Sequence, residues 1–265
     1  MKRLIRNEWR KVRVAVGFTA VLAMLAAIIC TLIIYKNYAL EAQLEVYEVG
    51  FEIFNLIFPL LAVIPTGWLM YFERKNGFIN YTLPRVNKKN YVFSKWIVSA
   101  GSGYLVVFCV SMISVLVALY VVPPITVQLS LVNPETGELM GKIVQTHIYG
   151  EQFLEQPFLY GLVLSLWKGI IGALVATLGF VFSLYSQNLF VILTGPFVYV
   201  LLENFCWSVF GLEKYRLVTA FEPSLVWVEA ISWTSFVTGP VLLLLVILGY
   251  LVYKRKIVNA RIYEL

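Results

Sequence analysis

Two ionisable side chains stand alone inside apolar runs of this sequence, Lys168 in SLWKGI and Glu203 in YVLLENF. A lone charge at membrane depth costs several kcal/mol, so each demands a partner or a task. At 1.5 Å per residue, Lys168 lies about 15 Å from the start of its run and Glu203 about 8 Å from the end of the next. The two runs are joined only by Tyr185, Ser186, Gln187 and Asn188, which makes them an antiparallel hairpin and predicts a Lys168–Glu203 ion pair. Such a pair either fixes helix packing or lines a pathway. Little other chemistry is on offer. All 15 acidic residues are Glu, His147 is the only histidine, and Cys30, Cys109 and Cys206 share no C-x-x-C spacing. Aspartyl dyads and Ser-His-Asp triads therefore lack their acid, and zinc lacks an HExxH pair. The cysteines read as small buried hydrophobes without a disulfide. No G-x-x-x-x-G-K-[ST] run cradles a phosphate, so this chain carries no cofactor of its own, and any ATP with its Mg must sit on a partner.

The elements that position these residues follow from composition. Of 265 residues, 60% are hydrophobic and 14% charged, with mean hydropathy +0.80, far from the roughly 25% charged of a soluble domain. Apolar runs at about 14–35, 51–72, 96–121, 158–183, 189–208 and 231–253 are each long enough to cross a hydrocarbon core of about 30 Å. The chain is thus expected to be one all-α transmembrane domain of six spans. The first run is too long for a signal peptide.

Orientation comes from the basic residues. Six precede the first span, six lie between Arg74 and Lys95, and four between Lys254 and Arg261, which makes 16 of the 21. Positive segments stay cytoplasmic, so both termini are expected inside. Glu runs the other way: only Glu8, Glu73 and Glu264 fall on that side. Tyr35, Tyr120, Trp207 and Trp233 at one face, with Trp68, Tyr71, Trp96 and Tyr253 at the other, suit rings at the headgroup level. The net charge of +6 is therefore explained by topology and anionic lipid of the bilayer, and no nucleic-acid partner is expected.

Four segments outside the spans carry information. Residues 3–13 put Ile5, Trp9 and Val12 on one helical face and Arg6, Arg10 and Arg13 on another, as an interfacial amphipathic helix would; the alternative is a basic topology signal of no fixed shape. In residues 73–95, Phe78, Ile79, Tyr81 and Leu83 are too apolar for an idle linker. Gly77 can stop the second span, Pro84 ends a short helix at Leu83, and Asn87 can cap the helix entering the third span. Such a helix either docks a soluble partner or tucks against the leaflet. Residues 122–157 alternate in ITVQLSLV and LMGKIVQTHIY around NPETGE, which predicts a small extracellular β-hairpin and leaves His147 as a surface histidine. Residues 209–230 mix Glu213, Lys214, Arg216, Glu222 and Glu229 with Phe210, Phe221 and Trp227, as short helices dipping partly into the outer leaflet would. Pro59, Pro65 and Pro196 are expected to kink their spans.

At residues 73–95 the chain resembles the membrane (permease) subunit of a bacterial type-2 ATP-binding-cassette exporter, in the six-span form whose ATPase is a separate chain. That family has an amphipathic helix, two spans, and a coupling segment with a Glu, a Gly, Leu-Pro, a Val-Ser-Arg-like helix start and a Lys entering the third span. Glu73, Gly77, Leu83-Pro84, Val86-Asn87-Lys88 and Lys95 match it; Phe78 stands where the family often has Thr, and Arg85 adds a residue after the proline. The resemblance implies a multi-pass protein of the bacterial cytoplasmic membrane, not itself an enzyme. It implies two copies of a cytosolic P-loop ATPase, and a second copy of this permease or a related one. It also implies a cytoplasmic coupling helix in which Phe78, Ile79 and Leu83 contact the ATPase while Gly77 and Pro84 hold its shape. The cargo would be hydrophobic or amphipathic, such as an antimicrobial peptide or a drug. A carrier or assembly factor without ATPase is the alternative; an intramembrane enzyme would need more clustered acids or metal ligands than this chain has.

Overall fold

The apolar runs become six long helices, and their ends are set by local chemistry. The computed structural model describes residues 1–82, 84, 86–126, 143, 147–225 and 232–257. The helices are α1 (Lys2–Ile34), α2 (Glu45–Lys75), α3 (Phe78–Thr82), α4 (Lys88–Tyr120), α5 (Gly150–Glu155), α6 (Pro157–Tyr185), α7 (Leu189–Val209), α8 (Leu217–Phe221) and α9 (Trp233–Ile257). Among the described residues there is no strand, and α1, α2, α4, α6, α7 and α9 are long and apolar enough to cross a membrane. Gly77, at φ +65°, stops α2 in the left-handed conformation that glycine adopts most readily. Asn87 caps α4 by accepting from the Lys89 N–H at 2.9 Å. Helices α2 and α7 run on through Pro59, Pro65 and Pro196.

Two expectations change. The segment 3–13 is not a separate interfacial helix but the first turns of α1, because no Gly or Pro precedes Gly17 to break it. Its 33 residues rise about 50 Å, well beyond a hydrocarbon core of about 30 Å. Arg3, Arg6, Arg10 and Arg13 are exposed there. The expected hairpin falls mostly on residues outside the described ones; its described end, His147–Tyr149, is a turn that leads into α5. Cys206 is exposed rather than buried.

Helix α4 is the central post, packed on α1, α2 and α6. Small residues set its closest crossing: a Cβ on Gly103 would stand 2.5 Å from that of Ala176 and 2.8 Å from the Gly172 carbonyl. Without a hydrophobic drive between helices in lipid, such close backbone approach supplies the packing energy. Helices α1, α7 and α9 lie outside, with Phe18, Ile29, Phe205 and Leu248 among their exposed side chains, a face suited to acyl chains. The bundle has a basic end, with the α2–α4 connection and the turn between α6 and α7, and an acidic end with α5 and α8.

Candidate functional site

At the basic end, four charges close a ring. Lys11 of α1 lies 2.7 Å from Glu8 and 2.8 Å from Glu73; Lys95 of α4 lies 2.6 Å from each of the same two carboxylates. Each ammonium thus bridges both acids, one from α1 and one from α2, and the ring is neutral. Buried Tyr91 donates to the second Glu73 oxygen. The next residue, Arg74, donates to the carbonyls of Leu184 and Ser186 at the end of α6, which have no partner further along that helix. Residues 73 and 74 therefore fasten the foot of α2 to α1, α4 and α6 at once.

Helix α3 hangs from this frame. Gly77 turns the chain, Ile79 packs into a small cluster with Met70 and Tyr91, and the Phe78 ring sits 4.7 Å from the Lys11 ammonium. Tyr81 is 76% exposed and Phe78 42%. Pro84 is an exposed turn residue, and Leu83 lies outside the described residues. Ile79, expected as an outward contact, is instead only 2% exposed: it is the anchor of the short helix, because a five-residue helix cannot hold itself and must bury one side chain.

At the acidic end the expected Lys168–Glu203 pair does not form. Lys168 is paired with Glu222 from the segment after α8, and donates to the Tyr47 hydroxyl at 2.6 Å. Its ammonium also lies 4.4 to 5.1 Å from the ring centres of Tyr47, Phe51 and Phe221, an aromatic cage that stabilises a desolvated cation. Glu203 turns to the start of α8, where both its oxygens accept from the Leu217 N–H at 3.1 Å. Similar depth brought Lys168 and Glu203 together on paper, but the inserted segment brings each a nearer partner. Phe221 stacks on Phe58 with centroids 4.0 Å apart, and the Trp167 indole donates to the Ala220 carbonyl at 2.8 Å. Residues 217–222 therefore plug the bundle, with Phe221 at the level of Phe58, about 20 Å along α2.

His147 is not a surface histidine: it is 6% exposed, with Nε2 at 2.8 and 3.0 Å from the two oxygens of Glu48 and Nδ1 at 3.3 Å from the Ile143 carbonyl. Both ring nitrogens face acceptors, which the doubly protonated ring satisfies. Burial alone would lower its pKa, but the hydrogen bond and charge of Glu48, with Glu45 and the Ile143 carbonyl, raise it above the usual histidine value. From Lys168 a chain of hydroxyls continues through Tyr47 and Ser111 to Ser165, each step 2.9 Å beyond the first. Lys168, Glu222, Tyr47, Ser111 and Ser165 are all 1% exposed or less, so this polar cluster is closed to solvent.

Glu8, Lys11, Tyr91, Tyr47, Glu48 and Glu222 were not singled out by spacing as partners. Glu8 offered a signal, as the one acid among the six N-terminal basic residues and three residues before Lys11. Comparison of the chain with protein-family models, curated proteins and solved structures finds no match.

Proposed function

We propose that the chain is the membrane subunit of an ATP-binding-cassette exporter, with its basic end cytoplasmic and α3 as the coupling helix that a separate P-loop ATPase grips. The observation that carries this reading is the construction of α3. A lone five-residue helix would fray, yet α3 is anchored through Ile79 and hung from a foot that binds three long helices, while Phe78 and Tyr81 stay exposed. Exposed aromatics on a rigid mount suit a protein partner. Force on α3 would reach α1, α4 and α6 together through Glu73 and Arg74. Phe78, Tyr81 and Leu83 are assigned to the contact, Gly77, Ile79 and Pro84 to shape, and Glu73 and Lys95 to transmission.

Two such subunits would enclose the pathway, and ATP would bias it by binding one arrangement more tightly than the other, since equal affinity shifts nothing. A hydrophobic or amphipathic cargo suits the apolar spans. Tyr81→Asp places a charge on a side chain that is 76% exposed, so the chain should still insert and elute as a single species. Co-purification of the ATPase should fall at least tenfold, about 1.4 kcal/mol of binding; undiminished co-purification would take α3 out of the interface.

A further inference from the structure

Between the acidic-end halves of α6 and α9 lies a cavity of about 700 Å³. The plug makes it. Helix α8 is wedged between the two long helices: a Cβ on Gly239 of α9 would stand 2.7 Å from the Leu217 Cα, while Trp167 and Lys168 of α6 hold Ala220 and Glu222. With α8 between them the two helices cannot close. One wall of the gap is Leu159, Val163 and Trp167, and the other is Trp233, Phe236 and Val237. The rings are mutually braced, Tyr149 to Trp233, Trp233 to Phe236 and Phe236 to Trp167, with centroids 6.2 to 6.5 Å apart. The wall is therefore preformed, unlike the single apolar side chains of an ordinary lipid-facing helix.

Its polarity is graded. Among the described residues that line it none is charged, Tyr149 and Tyr160 add hydroxyls, and the Trp167 N–H is already spent on Ala220. The polar side chains Gln152, Gln156 and Ser232 lie just ahead of the first turns of α6 and α9, at the end where headgroups would be. A lining that is apolar in depth, uncharged and amide-rimmed at one end complements an amphiphile whose tail runs along the helices. The volume is within the roughly 300–1,000 Å³ of built ligand sites. The described lining offers a cationic peptide no carboxylate to pair with, and burying its charges unpaired would be costly, whereas a zwitterionic headgroup carries its own counter-charge.

We propose that this cavity is a binding site for one phospholipid of the acidic-end leaflet, zwitterionic in its headgroup, with an acyl tail between α6 and α9 and the head hydrogen-bonded by Gln152, Gln156 and Ser232. The site does not depend on the ATPase reading. The full chain would be reconstituted in phosphatidylcholine vesicles containing a diazirine-acyl phosphatidylcholine, irradiated, and its adducts mapped. Adducts should concentrate several-fold on 159–167 and 233–237 over the lipid-facing stretch 18–29 of α1, and native mass spectrometry after detergent exchange should retain one phospholipid per chain. Val163→Trp, at a 58% exposed position, should fill the gap, abolish that enrichment and lose the retained lipid. Val237→Trp repeats the test from the opposite wall should the first variant fail to fold, and Ile29→Trp on α1 should change nothing. Uniform labelling of all lipid-facing helices, unchanged retention in a folded filled variant, or displacement of the lipid by a diazirine-bearing hydrophobic peptide would each overturn the proposal.

Discussion

The charged ring at the basic end and the Lys168 cluster at the acidic end both fasten a short helix to long ones, and they differ in how many partners each charge keeps. In the ring, Lys11 and Lys95 each bridge Glu8 and Glu73, and Lys11 has a third of its side chain open to solvent. Any one contact can lengthen while the others hold. Lys168 has one carboxylate, Glu222, in a fully buried setting. Redundant pairing would let the foot shift with α3 in the proposed coupling, whereas a single desolvated pair suits a plug that stays seated, because a buried charge without its partner is costly.

The sharpest way to break this comparison is at Glu222. Glu222→Ala takes away the carboxylate in contact with the Lys168 ammonium and leaves it on Tyr47 and the aromatic rings, and should destabilise the chain by about 3–5 kcal/mol, read as a fall in its thermal unfolding temperature in detergent. Adding Lys168→Met should recover most of the loss, since the orphaned charge is gone; a Glu222→Ala chain of unchanged stability would mean the plug is not held by this pair.

A smaller loss is expected in the ring. Lys95→Met leaves both carboxylates bridged by Lys11 and Glu73 still bonded to Tyr91, so about 1–3 kcal/mol is the expected cost. A loss as large as that of Glu222→Ala would erase the distinction between the two centres.

The smallest effect is set by pH at His147. Its raised pKa means the charged clamp on Glu48 is fully present below the unfolded value of about 6.5 and is lost as pH rises through the folded pKa. Protection factors of the amides over 147–153, corrected for the intrinsic rise of exchange with pH, should fall across that interval while those around Lys95 stay level, and His147→Gln should remove the dependence.

How much of this was legible varied with the physics involved. Span number and the two-ended charge pattern follow from solvent preference, which each residue expresses alone. Gly77 and Asn87 act within a few residues of themselves, so the stop of α2 and the cap of α4 could also be read. A segment inserted before the last span was legible from Phe221 lying among Glu213, Arg216 and Glu222. The partners of Lys168 and Glu203 were not, because depth counted along two helices cannot register a third element entering between them. Likewise the approach of Glu8 to Lys95 depends on α1 and α4 crossing, and the burial of Ile79 on how α3 folds back beneath Met70. The burial of His147 was not legible because the carboxylate it meets, Glu48, is 99 residues away.

The proposed coupling role of α3 is tested most directly by purifying the tagged full chain from its native membranes in mild detergent and identifying what accompanies it. A stoichiometric soluble protein bearing a P-loop, lost on Tyr81→Asp, is the expected result. An intact, folded chain that repeatedly emerges without such a partner would contradict it and point to transport or assembly without ATP.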